Sequence, residues 1–279
     1  MKKNRISRLV TYALLIGLGL IITFPFFWML FACFKTNAEI LASTALFPSS
    51  FSPDAFIAAW KGVGEVTFPV YLINTFLMVI PTVLLTVLSC SFVAFGFARF
   101  QFPGKKLFFG LMISTLMLPN SVIIIPRYLI FNKLGILNTY WPFYLPALFG
   151  CFPFFIFMIV QFLRGIPKEL DQAAYIDGCG CLGLYSKILL PLIKPALFSA
   201  GLFQFMWTWN DFFNPLIYIS TVKKFPLSLG LRASMDTASQ IQWNKLMAMS
   251  LISIIPLILL FFFAQKYFVE GISSTGIKG

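Results

Sequence analysis

Along the chain, long apolar runs alternate with short polar connectors. Six stretches are free, or nearly free, of Asp, Glu, Lys and Arg: residues 9–34, 66–98, 107–126, 134–163, 195–222 with Asp211 as the interruption, and 246–265. A helix crossing a bilayer needs about 20 mostly apolar residues, so every stretch suffices for one crossing. Adjusting the ends of these windows for loop residues and helix continuation predicts six spans at about 9–34, 71–98, 107–126, 141–163, 195–220 and 246–267, with 164–194 as a cytoplasmic loop. The expected fold class is an all-α membrane protein, with 1–279 forming a single transmembrane domain.

The connectors differ in character. Residues 35–69 carry Ser, Pro, Asp and Glu and read as an external loop, while Arg99 to Lys106 makes a short basic turn around Pro103-Gly104. The segment Arg127 to Thr139 mixes Leu, Ile and Phe with Arg127, Lys133 and Asn residues, as a helix lying on the outer surface would. Residues 164–194 form the longest internal connector. Prolines at 81, 119, 142, 146 and 153 fall within or beside spans. Neighbouring helices, hydroxyls and water can satisfy the backbone groups that such prolines release. They fit kinked helices lining a route, and equally the general frequency of proline in transmembrane helices.

Composition strengthens the membrane reading. Hydrophobic residues make up 59% of the chain, charged residues 11%, and the mean hydropathy is +0.89, more apolar surface than one soluble core can hide. The formal charge of +12 does not point to nucleic acid, because the basic residues are scattered between apolar runs instead of forming a stripe on a soluble face. With the N-terminus inside, 13 of the 21 Lys and Arg residues fall on the inner side and 8 on the outer, in the direction of the positive-inside rule. Six spans then return the C-terminus to the cytoplasm. The start MKKNRISR and the sequence Leu30-Phe31-Ala32-Cys33 also suggest a cleaved signal. The first apolar run, however, exceeds the roughly 7–15 residues of a signal core, and five more spans follow.

Catalytic chemistry has little to stand on. There is no histidine, so the commonest general base is missing. The five cysteines, at 33, 90, 151, 179 and 181, lie in or near apolar runs or in the 164–194 connector and outline no disulfide framework. Cys179 and Cys181 have no second ligand pair to complete a zinc site.

Within residues 164–194 the pattern is helical. Pro167 suits a first helical position, Glu169 and Asp171 place negative charge in the first turn, and Gly178 suits the position just past the end. A helix of about ten residues is marginal in water without a partner, and this one presents Leu170, Ala173, Ala174, Tyr175 and Ile176. Its cover is either another protein, or the membrane and the chain's own bundle.

Residues 169–195 read Glu-Leu-Asp-Gln-Ala-Ala-Tyr-Ile-Asp-Gly-Cys-Gly-Cys-Leu-Gly-Leu-Tyr-Ser-Lys-Ile-Leu-Leu-Pro-Leu-Ile-Lys-Pro. This resembles the cytoplasmic signature of binding-protein-dependent ABC importer permeases: Glu-Ala-Ala, three residues, Gly, nine residues, then Ile-x-Leu-Pro. Here Gln172 stands in place of the first Glu, Ala173 and Ala174 follow, Gly178 keeps its spacing, and Ile188 leads to Leu190 and Pro191. The run from Phe203 to Leu216, with its Trp-Asn-Asp, and the tail from Lys266 to Gly279 are similar to the carbohydrate branch that includes the smaller maltose-type permease.

That resemblance implies a type I importer bundle of six helices in the cell membrane, forming a heterodimer with a second permease. It also implies that 164–194 is a cytoplasmic coupling loop, whose coupling helix docks on a cytoplasmic ATPase dimer through Glu169, Asp171, Gln172, Ala173, Ala174, Asp177, Gly178, Leu190 and Pro191. An external sugar-binding protein would deliver the substrate. No Walker motif occurs in this chain, so ATP and Mg would sit on the ATPase partner, leaving this chain without a cofactor and without an enzymatic role.

Asp211 is costly inside an apolar run unless it faces protein or water. With Trp207, Trp209 and Asn210 it outlines a candidate translocation path or gate. Aromatic faces and polar groups suit a sugar, yet the tryptophans also suit a membrane interface and the Asp a broken helix. Within the importer class, an amino acid or a glycerol phosphoester is the alternative substrate. A lone secondary transporter would be expected to carry more intramembrane charge and an internal repeat.

Overall fold

The computed structural model describes residues 2–235 and 241–273, with side chains described over 7–235 and 241–265. Among these, four helices are long and apolar enough to cross a membrane: Ser7–Ala32, Phe68–Arg99, Trp141–Gly165 and Trp243–Gln265. Two further runs reach that length only as bent pairs, Lys105–Met117 with Asn120–Lys133 at 107° and Cys181–Leu192 with Lys194–Trp209 at 75°. The protein is thus all-α, with up to six crossings. Of the tail motif, the backbone is helical to Ser273, and Ser274 to Gly279 lie outside the described residues.

The sharper bend has a local cause. Pro119 lacks an N–H and fixes its own φ, and it stands directly before the helix Asn120–Lys133. The run expected over 107–126 is therefore divided, and the helix expected to start at Arg127 starts at Asn120, with Arg127 inside it. The run expected over 195–220 also stops, at Trp209, and restarts as Phe213–Tyr218. The external connector, expected as polar loop, contains two short helices, Asn37–Ala42 and Asp54–Lys61. Thr36 caps the first by accepting from the Glu39 N–H at 3.2 Å, the Thr-x-x-Glu spacing of a capping box.

The described chain divides into two compact units. One comprises residues 1–69 and 230–255. Its polar stitching comes from Asn37, which donates to the Ile241 carbonyl at 3.1 Å and accepts from the Trp243 N–H at 2.8 Å. Lys245 donates to the Gly62 carbonyl at 2.5 Å. The first helix, by contrast, leaves nearly all of its apolar side chains uncovered, as a lipid-facing or partner-facing span does.

The other unit comprises residues 70–229 and 256–279. Its core joins Cys90, Ala94, Phe95 and Ala98 of Phe68–Arg99 to Phe155, Ile159 and Leu163 of Pro153–Gly165. The same core takes in Ala196 and Ala200, together with Ala174, Leu184, Tyr185, Leu189 and Ile193 of the internal connector. Because the connector contributes side chains to this core, its orientation is fixed by packing against the spans.

Candidate coupling segment and cavity

The internal connector forms a helix, Glu169–Ile176, that leaves through Asp177 into Gly178 at φ 76°. The Gly178 N–H bonds the Tyr175 carbonyl at 3.1 Å and the Cys179 N–H bonds the Ala174 carbonyl at 2.9 Å. Those two bonds are the pair of a Schellman stop, which places a residue in the left-handed region where glycine carries no Cβ penalty. The acidic first turn is as expected, but Pro167 stands ahead of the helix, which begins at Glu169 after Lys168.

The two faces of this helix differ. Asp171 and Ala174 are buried. Arg99 Nε lies 2.9 Å from Asp171 Oδ2, and an Arg99 Nη donates to the Ile166 carbonyl at 3.2 Å. A second tie follows at Tyr185, whose hydroxyl lies 2.6 Å from Ser91 Oγ and whose ring stacks on Phe92 at 4.5 Å. Both ties run to the helix Phe68–Arg99. Tyr185 belongs to a π-helical turn over Leu184–Leu189, a form found mostly as a single turn at functional sites.

Glu169, Gln172, Ala173, Asp177 and Gly178 point outward. Beside them Ile176 is 85% exposed and Leu182 73%. Pro191 is exposed and Leu190 half-buried on the following turns. Asp171 therefore stands apart from the other expected coupling residues, because its carboxylate is held by Arg99. Sequence reading missed Arg99, Tyr185 and Leu182. The first was legible only as one charge in a basic turn.

The second locus is a cavity of about 670 Å³. Gln204, Trp207, Thr208 and Asp211 face it from one side of the helix Lys194–Trp209 and its end, at the three- and four-residue spacing that puts side chains on one helical face. Phe154 packs on Trp207 at 5.2 Å between centroids. Arg127 and Asn120 come from the limb Asn120–Lys133, and Asn214 and Tyr218 from Phe213–Tyr218.

The four expected path residues separate here. Trp207 and Asp211 line the cavity, whereas Trp209 is buried, stacked on Phe205 at 5.3 Å and edge-on to Phe76 at 5.1 Å. Asn210 turns its amide back to the Met206 carbonyl at 2.8 Å. Asp211 accepts the Asn214 N–H at 3.2 Å and the Asn214 side-chain amide at 2.7 Å, so it starts the next short helix. Its own carbonyl takes the Ser228 hydroxyl at 2.8 Å.

Polar capacity remains unused in this wall. Gln204 is 3% exposed and donates to Thr208 at 2.9 Å, but its Oε1 has no partner, and neither does Asn214 Oδ1, whereas the Tyr218 hydroxyl has the Arg127 guanidinium beside it. Buried polar groups are nearly always paired, so these two oxygens are available to water or to a hydroxylated ligand. Among the described residues no group of three Cys, Asp or Glu could hold a metal ion.

Known proteins share this sequence and architecture. The family described as binding-protein-dependent transport system inner membrane component matches residues 55–274. A probable ABC transporter permease protein of Bacillus subtilis, YurM, is 37% identical over 92% of this chain and 84% of its own. The arabinooligosaccharides transport system permease protein AraQ of Halalkalibacterium halodurans is 33% identical over 99% of this chain and 100% of its own. Among solved structures, a bacterial ABC transporter involved in the import of the acidic polysaccharide alginate superposes with a TM-score of 0.84 at 21% identity, covering 96% of this chain and 98% of that one.

Proposed function

We propose, for a chain that belongs to the binding-protein-dependent transport system inner membrane component family, that it is the permease subunit of an ATP-driven importer of a sugar or oligosaccharide. As a member of that family it is a multi-pass membrane component, not a catalytic subunit. The carbohydrate assignment is supported by similarity to the arabinooligosaccharide permease along nearly the whole of both chains.

In this reading a cytoplasmic ATPase dimer binds ATP and Mg, closes, and carries the Glu169–Ile176 helix with it. A second permease supplies the other half of the path. An external binding protein presents the sugar, and both termini of this chain lie in the cytoplasm. The observation that carries the reading is the asymmetry of the short helix: Asp171 is anchored on Arg99 while Ile176 and Leu182 stand uncovered. An anchored helix whose outer face mixes polar groups with uncovered apolar side chains is built to receive force from another protein and pass it to a span.

Inside the bundle, Trp207 offers a sugar ring an apolar face, and Gln204, Tyr218 and Asn214 offer hydrogen bonds to hydroxyls. Alternating access follows if nucleotide and sugar each bind one of two conformations more tightly, since a ligand shifts an equilibrium only by that difference. The test is uptake of a labelled arabinooligosaccharide by proteoliposomes holding this chain with its co-expressed partners. Uptake should require ATP on the ATPase side and binding protein on the other. Uptake without ATP would contradict the importer reading.

A further inference from the structure

A second cleft, of about 640 Å³, lies in the same unit as the cavity and is lined by Gln101, Phe102, Lys105, Lys106, Phe109 and Arg164. It sits where the short basic turn enters the helix Lys105–Ser114 and where the span Trp141–Gly165 ends. The cations gather without compensation. Among the described residues no carboxylate lies within ion-pair distance of Lys105, Lys106 or Arg164, and Lys105 is close enough to Arg164 and Lys168 to feel their charge. Lys105 Nζ donates to the Phe100 carbonyl at 2.7 Å, and the Arg164 guanidinium stands 5.0 Å over the Phe109 ring.

The placement breaks a local rule. The first turn of a helix carries partial positive charge and favours acidic residues, yet Lys105 and Lys106 open this one, no acid follows in its first turn, and no side chain caps it. Four cations near a bare helix start repel one another unless an anion joins them. The walls are apolar and aromatic, and Leu107 and Phe108 beside them are exposed. A headgroup-sized cationic mouth over an apolar floor, at the boundary where two spans meet the turn, matches one ligand chemistry: a phosphodiester carrying acyl chains.

We propose that this cleft binds the headgroup of an anionic phospholipid of the cytoplasmic leaflet, with Lys105, Lys106 and Arg164 on the phosphate and the chains running along Phe102, Phe109 and Leu107. The leaflet assignment rests on the cytoplasmic termini proposed above, which put the turn after the second span, residues 99–106, on the cytoplasmic side. Lipid binding itself does not depend on transport and is read separately from it. A site of this kind lets bilayer composition hold the basic turn and, through neighbouring Arg99, the coupling helix that Arg99 anchors.

The test is native mass spectrometry of the full-length protein in detergent, titrated with phosphatidylglycerol or with phosphatidylcholine of the same chains. Wild-type protein should retain phosphatidylglycerol preferentially. K105Q/K106Q/R164Q should weaken that retention by about fivefold per charge removed, K105R/K106R should keep it, and neutralising the remote Lys223 and Lys224 should leave it unchanged. Equal retention of both lipids, or equal retention by wild type and the triple variant, would overturn the proposal. So would displacement by inorganic phosphate at matching concentration, which would indicate a free-anion site. A triple variant that keeps its lipid but loses co-purifying ATPase would overturn it too, by marking a protein contact.

Discussion

The coupling segment and the cavity lie in one unit and solve opposite problems. The segment buries a charge and exposes apolar side chains: Asp171 is closed against Arg99, while Ile176 and Leu182 are open. The cavity encloses polar side chains within apolar helices, with Gln204 and Asn214 keeping unused hydrogen-bonding atoms. Each arrangement is unfavourable alone, since exposed apolar surface and unpaired buried polar groups both cost free energy. Each therefore implies its own complement: for the segment a protein surface, for the cavity a polar solute or water.

Breaking the buried pair should have the largest effect. Arg99→Met leaves Asp171 buried without its partner, and removing one member of such a pair costs about 3–5 kcal/mol. Thermal melting in detergent should therefore fall sharply. Replacing both members, Arg99→Met with Asp171→Leu, should recover most of the loss, because the uncompensated charge is gone. If the two single variants and the double variant melt alike, the pair does not anchor the helix.

The cavity side comes next. Asp211→Leu removes the acceptor for both Asn214 donors and should cost about 1–2 kcal/mol as a lost cap, with a large fall in uptake. Asp211→Asn keeps an acceptor for the Asn214 N–H, and the Asn214 amide can turn to donate and accept, so uptake should fall only a few-fold. Equal impairment by the two variants would mean that the charge matters beyond the cap. The tryptophans extend the same contrast. Trp207→Ala should impair uptake more than stability, and Trp209→Ala, which empties a buried site, should cost stability by about 3–5 kcal/mol. The reverse pattern would place the path on the opposite face.

The helix stop comes last, with a cost in the range of the lost cap. A Cβ at position 178 meets no neighbouring atom, but Gly178→Val must hold a positive φ, which costs a β-branched residue about 1–3 kcal/mol. Uptake should drop more than melting temperature, and Gly178→Asn, which tolerates that backbone, should retain most of it.

Much of the short helix in the candidate coupling segment was legible because its information is local. Acidic residues in the first turn, Gly178 at the stop and Gln172-Ala173-Ala174 lie within one short stretch, and caps are set by neighbours in sequence. Its anchor was not legible, because Arg99 closes a different helix, far back along the chain, and meets Asp171 only in space. In the cavity, Asp211 announced itself as a charge in an apolar run, and Trp207 lies one helical turn before it on the same face. Gln204 and Thr208 obey that spacing and could have been added. Arg127 could not, since the break at Pro119 moved it from the expected start of a separate surface helix to the wall of a limb that begins at Asn120. Trp209 and Asn210 were grouped with Asp211 by adjacency, whereas helical geometry turns adjacent residues to different faces.

The central claim is that the outward face of Glu169–Ile176 and its neighbour Leu182 receive an ATPase. It is tested most directly by Ile176→Glu with Leu182→Glu, followed by purification of the complex from membranes. Because both side chains are exposed, the melting temperature of the permease should change little, surface substitutions usually falling within about 0.5 kcal/mol. The ATPase should no longer co-purify, and uptake should be lost. An ATPase retained at the wild-type ratio, with uptake intact, would contradict the claim.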